Sequence, residues 1–489
     1  MAETNYTKTI LQYAITSRIL LLTLIVLWRS LLSPYDTSAS LNPNCLSHSS
    51  QSTKPPILFP SIASAIEESI VWDSVYFVRI AQCGYEYEQT YAFFPLLPLF
   101  ISLLSNSVFR PLVPVIGYRA VLGLSGYVIS NVAFLFAAFY MYRLSLVILK
   151  DPDASLRASI LFCFNPASIF YSSIYSESLY ALLSIGGTYL LMCGVNNVPV
   201  LLFALSGSVR SNGVLNAGYY GFKALHQSYY AMNFKKRVHL ALQVVLAGAL
   251  RCICIPIPFL AYQAYGYYNI CHGREPDEMR PWCKARIPLL YGFIQSHYWG
   301  VGFLKYFQLK QLPNFLLASP VLSLAFFSIH SYLKADPENF CSLGFGATLK
   351  RKNAAALLFS EGEEPVRDDY HYAAKQEAIN LQQRQKPITR DTHVCPTTED
   401  QVSVKSGYYS ANVLPFIYHL SFMAATAFFV MHVQVATRFL SASPPLYWFA
   451  SYLMTSAGKS RKWARLVWAY AASYILLGSL LFSNFYPFT

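Results

Sequence analysis

Apolar runs long enough to cross a lipid bilayer recur along the whole chain, at 10–32, 118–142, 156–172, 177–195, 198–220, 239–268, 313–334, 411–436, 439–457 and 464–486. A helix needs about 20 mostly apolar residues to cross the hydrocarbon core. Composition agrees: of 489 residues, 54% are hydrophobic and only 12% are charged. Soluble domains carry about 25% charge, and so thin a charge cover cannot coat a globule of this length. A disordered chain is excluded and an ordinary soluble enzyme disfavoured. The reading is an all-α polytopic membrane protein with about 9–11 membrane segments. The run 91–104 is too short and too Pro-rich to span, and suits a re-entrant or interfacial role.

Loop charge orients the segments. Basic residues cluster at Lys8/Arg18, at Arg143/Lys150/Arg157, at Lys235–Arg237 and at Lys459/Arg461/Lys462/Arg465. Placing them in the cytosol puts 33–117 and about 269–312 on the opposite side and 335–410 in the cytosol. Much of the net charge of +13 then lies in orienting cytosolic flanks, and no nucleic-acid partner is expected. The first run reads as an uncleaved signal-anchor, because it continues through Trp28 without a small-x-small cleavage site. Parity allows an even number of crossings between Arg157 and Lys235, yet apolar runs 156–172, 177–195 and 198–220 lie there. One of them, 198–220 with its Gly207, Arg210 and Gly213, is expected to dip in and return. Broken backbone at that depth needs protein or a water-filled cavity to receive it, so this stretch is a candidate pocket wall. The chain divides into a membrane module 1–334 with a large loop 33–117, a flexible insert 335–410 with a short helix near 371–386, and C-terminal segments 411–489.

Of the 24 acids, 11 lie between Asp336 and Ser410, so carboxylate chemistry must draw on a short list elsewhere. Cys45, Cys83, Cys271 and Cys283 fall on the non-cytosolic side, where disulfides persist. Cys271–Cys283, closing a short loop, is the stronger disulfide candidate and Cys45–Cys83 the weaker. Cys252-Ile-Cys254 has no His or acid nearby, so no metal site is read. The sequon Asn5-Tyr-Thr falls in the cytosol and is expected to stay unmodified.

The first large loop is the most informative. Ile62, Ile66, Ile70, Phe77 and Ile80 recur at helical spacing, which predicts an interfacial amphipathic helix in one or two pieces. Asp73 follows Trp72, with Tyr76, Phe77 and Ile80 on its helical face. A carboxylate among aromatic and apolar groups loses hydration and becomes a stronger base. The alternative is an Asp73 that faces water beside an anchoring Trp. Glu86 and Glu88 read first as solvated loop acids, and otherwise as a second acid or a headgroup contact.

Trp72-Asp73-Ser-Val-Tyr76-Phe77, Gly84-Tyr85 and Tyr91-Ala-Phe-Phe-Pro95 begin a series of motifs. It continues through Asn165-Pro166, Tyr175-Ser-Glu177, Arg210-Ser-Asn-Gly213, Pro281-Trp-Cys283, Tyr298-Trp299 and Pro313-Asn-Phe315 to His432-Val-Gln434 with Arg438-Phe439 and Tyr447-Trp448. In this order, over about 72 to 448, they resemble the GPI mannosyltransferase 2 family; residues 340–405 lie outside the resemblance. The resemblance implies a GT-C type glycosyltransferase of the endoplasmic reticulum membrane with its active site on the lumenal side. It implies dolichyl-phosphate-mannose as donor, a co-substrate rather than a cofactor. The implied acceptor is a mannosyl-glucosaminyl-acylphosphatidylinositol lipid. Asp73 matches the acid expected as catalytic base. Tyr76 stands where relatives commonly carry His, which puts an assisting role for that position in doubt.

Turning a β-linked mannosyl phosphate into an α-linked product takes one displacement: a base for the acceptor hydroxyl and charge stabilisation for the departing phosphate. Arg210 and Arg438 are the candidates for the second task, since an unpaired cation near lipid costs several kcal/mol. Their alternatives are a helix-ending turn and snorkelling to water. Glu177 reads as an acid at a helix start or a sugar contact. Asn212, His432 and Gln434 join the candidate binding residues, as do Trp72, Tyr76 and Glu86. Trp282 and Trp299 are interfacial aromatics or sugar-stacking rings. His432, Gln434 and Arg438 cannot share one helix face. The competing readings are another lipid-linked-sugar mannosyltransferase, which only motif identity separates, and a transporter or scaffold. A transporter would show internal repeats, and none is seen.

Overall fold

The computed structural model describes residues 2–35, 45–46, 57–275, 277–346, 407–455 and 460–486, and among these all regular structure is helical. Most of the insert (347–406, with the helix expected near 371–386) and Lys459 lie outside the described residues. In chain order the helices begin α1 (Ala2–Leu31), α2 (Pro60–Glu68), α3 (Asp73–Cys83), α4 (Leu96–Asn106), α5 (Val113–Ile116), α6 (Tyr118–Leu149) and α7 (Pro152–Cys163). They continue α8 (Ser168–Ser172), α9 (Glu177–Met192), α10 (Val198–Gly207), α11 (Ala217–Asn233), α12 (Val238–Cys254), α13 (Ile257–Cys271) and α14 (Leu290–His297). The remainder are α15 (Leu312–Ala335), α16 (Pro337–Cys341), α17 (Leu414–Phe429), α18 (Ala436–Phe439), α19 (Pro444–Thr455) and α20 (Ser460–Ser483).

Among the described residues 6 helical stretches are long and apolar enough to cross a membrane: α1, α6, α12 with α13, α15, α17 and α20. The chain is thus a multi-pass membrane protein. The bent pair 96–106 and 110–116 meets at 68°, which fits the re-entrant role expected of 91–104. Four of the apolar runs, 156–172, 177–195, 198–220 and 439–457, are carried on shorter helices. The physical reason is punctuation. Asn165 precedes Pro166, and a pre-proline residue resists the α conformation, so α7 and α8 are separate pieces. Pro444 and Pro445 start α19, where their missing N–H groups cost nothing.

α6 is the pillar of the bundle, with 17 buried residues including Ala137, Ala138, Gly126 and Ser130. Small residues let neighbouring helices approach closely. α1 lies against α6 and α20, where Trp28 donates to Ser479 Oγ at 3.0 Å. At one end of the bundle Tyr6 bonds Asp153 and Arg157 bonds Ser451. At the other, Arg29 pairs with Glu68 of the first loop and Tyr35 stacks on Tyr486. The loop charges Lys150 and Arg157 and the loop 57–117 thus occupy opposite ends, as the charge pattern requires.

Arg18 corrects the sequence reading. It does not belong to a basic flank; it sits midway along α1, 3% exposed. It donates to Ser172 Oγ at 2.9 Å, to Ser168 O at 3.1 Å and to Cys163 O at 3.2 Å. The last is the open carbonyl at the end of α7, which lacks a helical partner. The Phe134 ring completes the site at 3.8 Å.

The dip expected at 198–220 has a definite form. α10 rises for 10 residues, turns through a 3₁₀ segment, Ser211–Asn216, and continues as α11. Tyr220 and Lys223 of α11 hydrogen-bond Asn196 just ahead of α10. The chain therefore leaves this hairpin at the end where it entered. Gly213 makes the turn possible: a Cβ there would lie 2.3 Å from the Ser206 carbonyl carbon.

Candidate active site

The first loop helix is broken in two, and the break creates the site. α2 ends at Glu68 and α3 begins at Asp73. Between them Trp72 holds a φ of +53°, a conformation that costs a bulky L-residue about 1–3 kcal/mol. Its indole donates to Phe482 O at 3.1 Å and its ring packs on Phe485 at 5.7 Å. The turn so held aims the Asp73 N–H at Tyr175 Oη, 3.1 Å away, and starts a new helix with the Asp73 carboxylate in its first turn.

Arg438 of α18 donates to Asp73 Oδ2 from both terminal nitrogens, at 3.2 and 3.1 Å. Its Nε lies 3.0 Å from Glu177 Oε1, an ion-pair distance without hydrogen-bond alignment, since that N–H has no bonded acceptor. Glu177 opens α9 and pairs in turn with Arg210, which also donates to Ser176 Oγ at 3.3 Å. Asp73, Arg438, Glu177 and Arg210 thus form a row of alternating charge. Its formal neutrality is what lets two cations and two anions lie inside an apolar bundle. Phe170 and Tyr175 flank the Arg438 guanidinium at 5.1 and 5.2 Å. Burial would lower the Arg438 pKa, but Glu177 and Asp73 outweigh it and raise it.

The row is graded in exposure. The Glu177 side chain is 2% exposed, Arg438 17% and Asp73 32%. Arg438 takes only one carboxylate oxygen of Asp73, and among the described residues no partner reaches Oδ1. An accessible, unbonded carboxylate oxygen beside a fixed cation can accept a proton. Glu177 Oε2 is also buried without a partner. Asn212 lies in the 3₁₀ turn after Arg210, buried, with its Nδ2 unbonded.

Glu86 and Glu88 correct the sequence reading a second time: neither is a solvated loop acid. Glu86 takes Arg79 Nη2 at 2.6 Å and Nε at 2.8 Å, both side chains 6% exposed. Glu88 takes Arg280 Nη2 at 2.5 Å, Tyr298 Oη at 2.7 Å and Trp282 Nε1 at 2.8 Å. Burial alone would raise the Glu88 carboxyl, but these hydrogen bonds and the Arg280 charge hold it below its ordinary value. Disulfides Cys45–Cys83 and Cys271–Cys283 clamp the same region, so both expected pairings form. A cavity of about 380 Å³ opens between these walls.

The other expected site residues divide. Tyr76 stacks on Phe93 at 4.6 Å, and Trp299 meets the same ring at 6.4 Å. Trp282 serves Glu88. His432 stacks on Tyr306 at 4.6 Å, and Gln434 has its Oε1 buried without a partner. The segment is a 3₁₀ turn, Val433–Val435, followed by α18, so of the three only Arg438 reaches the row. Tyr175, Arg79 and Arg280 were not expected. The adjacency of Tyr175 to Glu177 was the available signal for the first; the arginines carried none, being 7 and 192 residues from their acids.

A family profile described as "Mannosyltransferase (PIG-V)" matches residues 7–489, wider than the motif-bearing 72–448 and including the insert. The human "GPI alpha-1,6-mannosyltransferase 2" is 28% identical, covering 99% of this chain and 98% of its own. The Drosophila melanogaster "GPI mannosyltransferase 2" is 27% identical over 86% of each chain. Among solved structures, the oligosaccharyltransferase of Archaeoglobus fulgidus matches at a TM-score of 0.37 and 12% identity, covering 97% of this chain and 53% of that one. That likeness is too weak to bear on the fold.

Proposed function

The chain belongs to the PIG-V mannosyltransferase family, and from that premise we propose that it is the α-1,6-mannosyltransferase adding the second mannose to the glycosylphosphatidylinositol precursor. Its donor is dolichyl-phosphate-mannose, its acceptor a mannosyl-glucosaminyl-acylphosphatidylinositol lipid, and its place the endoplasmic reticulum membrane with the Asp73 end of the bundle lumenal. The architecture is of GT-C type. The observation that carries the mechanism is the Asp73–Arg438–Glu177–Arg210 row, which sets a carboxylate with one open oxygen against buried cations.

In one displacement the acceptor 6-hydroxyl oxygen forms its bond to mannose C1 as the bond from C1 to the phosphate oxygen breaks. The proton passes to Asp73 Oδ1, and the electron pair leaves with dolichyl phosphate. Inversion at C1 turns the β donor linkage into the α product. Arg438, fixed on Asp73 Oδ2, orients the base; with Arg210 it supplies the preorganised positive field for the growing phosphate charge. Glu177 holds both guanidinium groups. Asn212, with an unbonded buried amide, lies beside Arg210 as a further contact for the donor. Tyr76 and Trp299 offer ring faces to sugar.

The test is rescue of surface GPI-anchored proteins in cells lacking the second-mannose step. Wild type is expected to restore them and Asp73→Ala not to. Full rescue by Asp73→Ala at matched expression overturns the base assignment. A correctly inserted wild type that fails to rescue overturns the function.

A further inference from the structure

The cavity beside Glu88 has no part in the displacement just described, yet it is a built site. One wall is the turn after α3, carrying Tyr85 to Gln89; the other is the segment from Asn269 to Tyr298. Each wall is tied down by a disulfide, Cys45–Cys83 on the first and Cys271–Cys283 on the second. The walls are joined through Glu88, which accepts from Arg280, Trp282 and Tyr298. Loops closed in this way keep a fixed shape, and recognition by a preformed shape spares the ordering cost of binding.

The lining specifies a chemistry. Tyr85, Tyr87, Tyr91 and Tyr298 contribute rings suited to the C–H faces of a polyol. The Tyr85 and Tyr298 hydroxyls already donate to Phe93 O and Glu88, and that of Tyr91 accepts from Asn269, so what they offer to polyol hydroxyls is their remaining acceptor capacity. Both acids are already neutralised, Glu86 by Arg79 and Glu88 by Arg280. Arg274 also lines the cavity, and among the described residues no carboxylate pairs with it. That leaves the exposed Arg274 as a lining guanidinium without a paired carboxylate among the described residues, which suits a single phosphate.

The cavity is also connected to the base. Tyr76, one turn beyond Asp73, stacks on Phe93; Phe93 meets Trp299 at 6.4 Å; Trp299 meets Tyr298, on the cavity wall, at 6.2 Å. Tyr76, Phe93, Trp299 and Tyr298 thus make a continuous strip of rings from the helix bearing Asp73 to the cavity wall, with Tyr76 and Trp299 partly exposed and Phe93 buried between them. We infer that the cavity seats the inositol-phosphate end of the acceptor headgroup, with the glycan lying along this strip so that its terminal mannose reaches Asp73. The inference rests on the function proposed above and adds where the acceptor binds. The donor also carries a sugar phosphate, but its phosphate belongs at Arg210 and Arg438.

The experiment uses the full chain in lipid nanodiscs, with dolichyl-phosphate-mannose and synthetic mannosyl-glucosaminyl-acylphosphatidylinositol. Arg274→Ala is expected to raise the acceptor KM about tenfold, the worth of one charge-assisted hydrogen bond, while the donor KM and kcat stay within about twofold. Arg274→Lys should recover part of the loss, and inositol 1-phosphate should compete with acceptor in wild type but weakly in Arg274→Ala. An unchanged acceptor KM in an active Arg274→Ala enzyme overturns the inference. So does a parallel rise in the donor KM, which would make this a donor site, or competition by inositol 1-phosphate that the variant leaves intact. A wild type that transfers no mannose overturns the function itself, a result distinct from these.

Discussion

At the residue scale, the charge row separates two kinds of acid that a list of carboxylates would treat alike. Glu177 is 2% exposed and sits between two arginines; Asp73 is 32% exposed and meets one. Removing one partner of a buried ion pair costs about 3–5 kcal/mol, because it strands the other charge. Glu177→Gln is therefore expected to lower thermal stability by that order in a detergent-solubilised melt. Asp73→Asn should cost less stability but reduce mannose transfer by at least about 10²-fold, the scale of general-base catalysis. Equal melts for the two variants would deny the division of labour. Glu88 supplies a pH signature outside the membrane. Its folded pKa is depressed, so its stabilising contribution is complete above the ordinary glutamate value of about 4.3 and is lost as pH falls through the depressed value. Glu88→Gln should flatten the acid limb of the stability profile; an unchanged acid limb would show that the pairing contributes nothing. Asp73 was legible because it stood in a Trp-Asp motif on an amphipathic stretch. The burial of Glu86 and Glu88 was not, because acids in a Tyr-Glu-Tyr-Glu loop look solvated until arginines 7 and 192 positions away are folded onto them.

At the element scale, the dip at α10 was legible from parity together with Gly207, Arg210 and Gly213: basic flanks at both ends forbid an odd number of crossings, and those residues mark which of the three apolar runs turns back. Its turn depends on Gly213, where any side chain would strike the backbone at Ser206 and Gly207. Overpacking typically costs about 1–3 kcal/mol, and here the obstacle is backbone, which yields little. Gly213→Ala is expected to reduce the melting temperature and, because Arg210 sits one turn before it, to cut activity along with it. A fully stable, active Gly213→Ala protein would mean the hairpin relaxes freely. What periodicity could not show was where apolar runs break. Hydropathy counts 156–172 as one segment; Asn165-Pro166 divides it. Those breaks place the open end of α7 beside Arg18, and so explain how a cation survives at mid-helix. Apolar content sets which stretches enter the bilayer, but the polar punctuation within them decides which become straight spans.

At the scale of the whole molecule, the described helices form one bundle with the charge row towards one end and the basic clusters at Lys150/Arg157 and Lys235–Arg237 towards the other. The four residues of the charge row, and the cavity walls among the described residues, come from other parts of the chain than the insert. Deleting 350–400 is expected to leave rescue of surface GPI-anchored proteins at wild-type level; loss of rescue with normal membrane insertion would give the insert a necessary role. The order in which the chain is made has a further consequence for the charge row. Asp73 is 365 positions from Arg438, and the indole just before it is anchored 410 positions away on Phe482. A ribosome that has delivered the first loop has made the proposed base but neither its cation nor its anchor. The Trp72 turn must wait, unsupported, through the insertion of nearly every other helix. Asp73 therefore gains its cation and its anchor only when the last helices dock, and a chain stopped before them lacks both contacts.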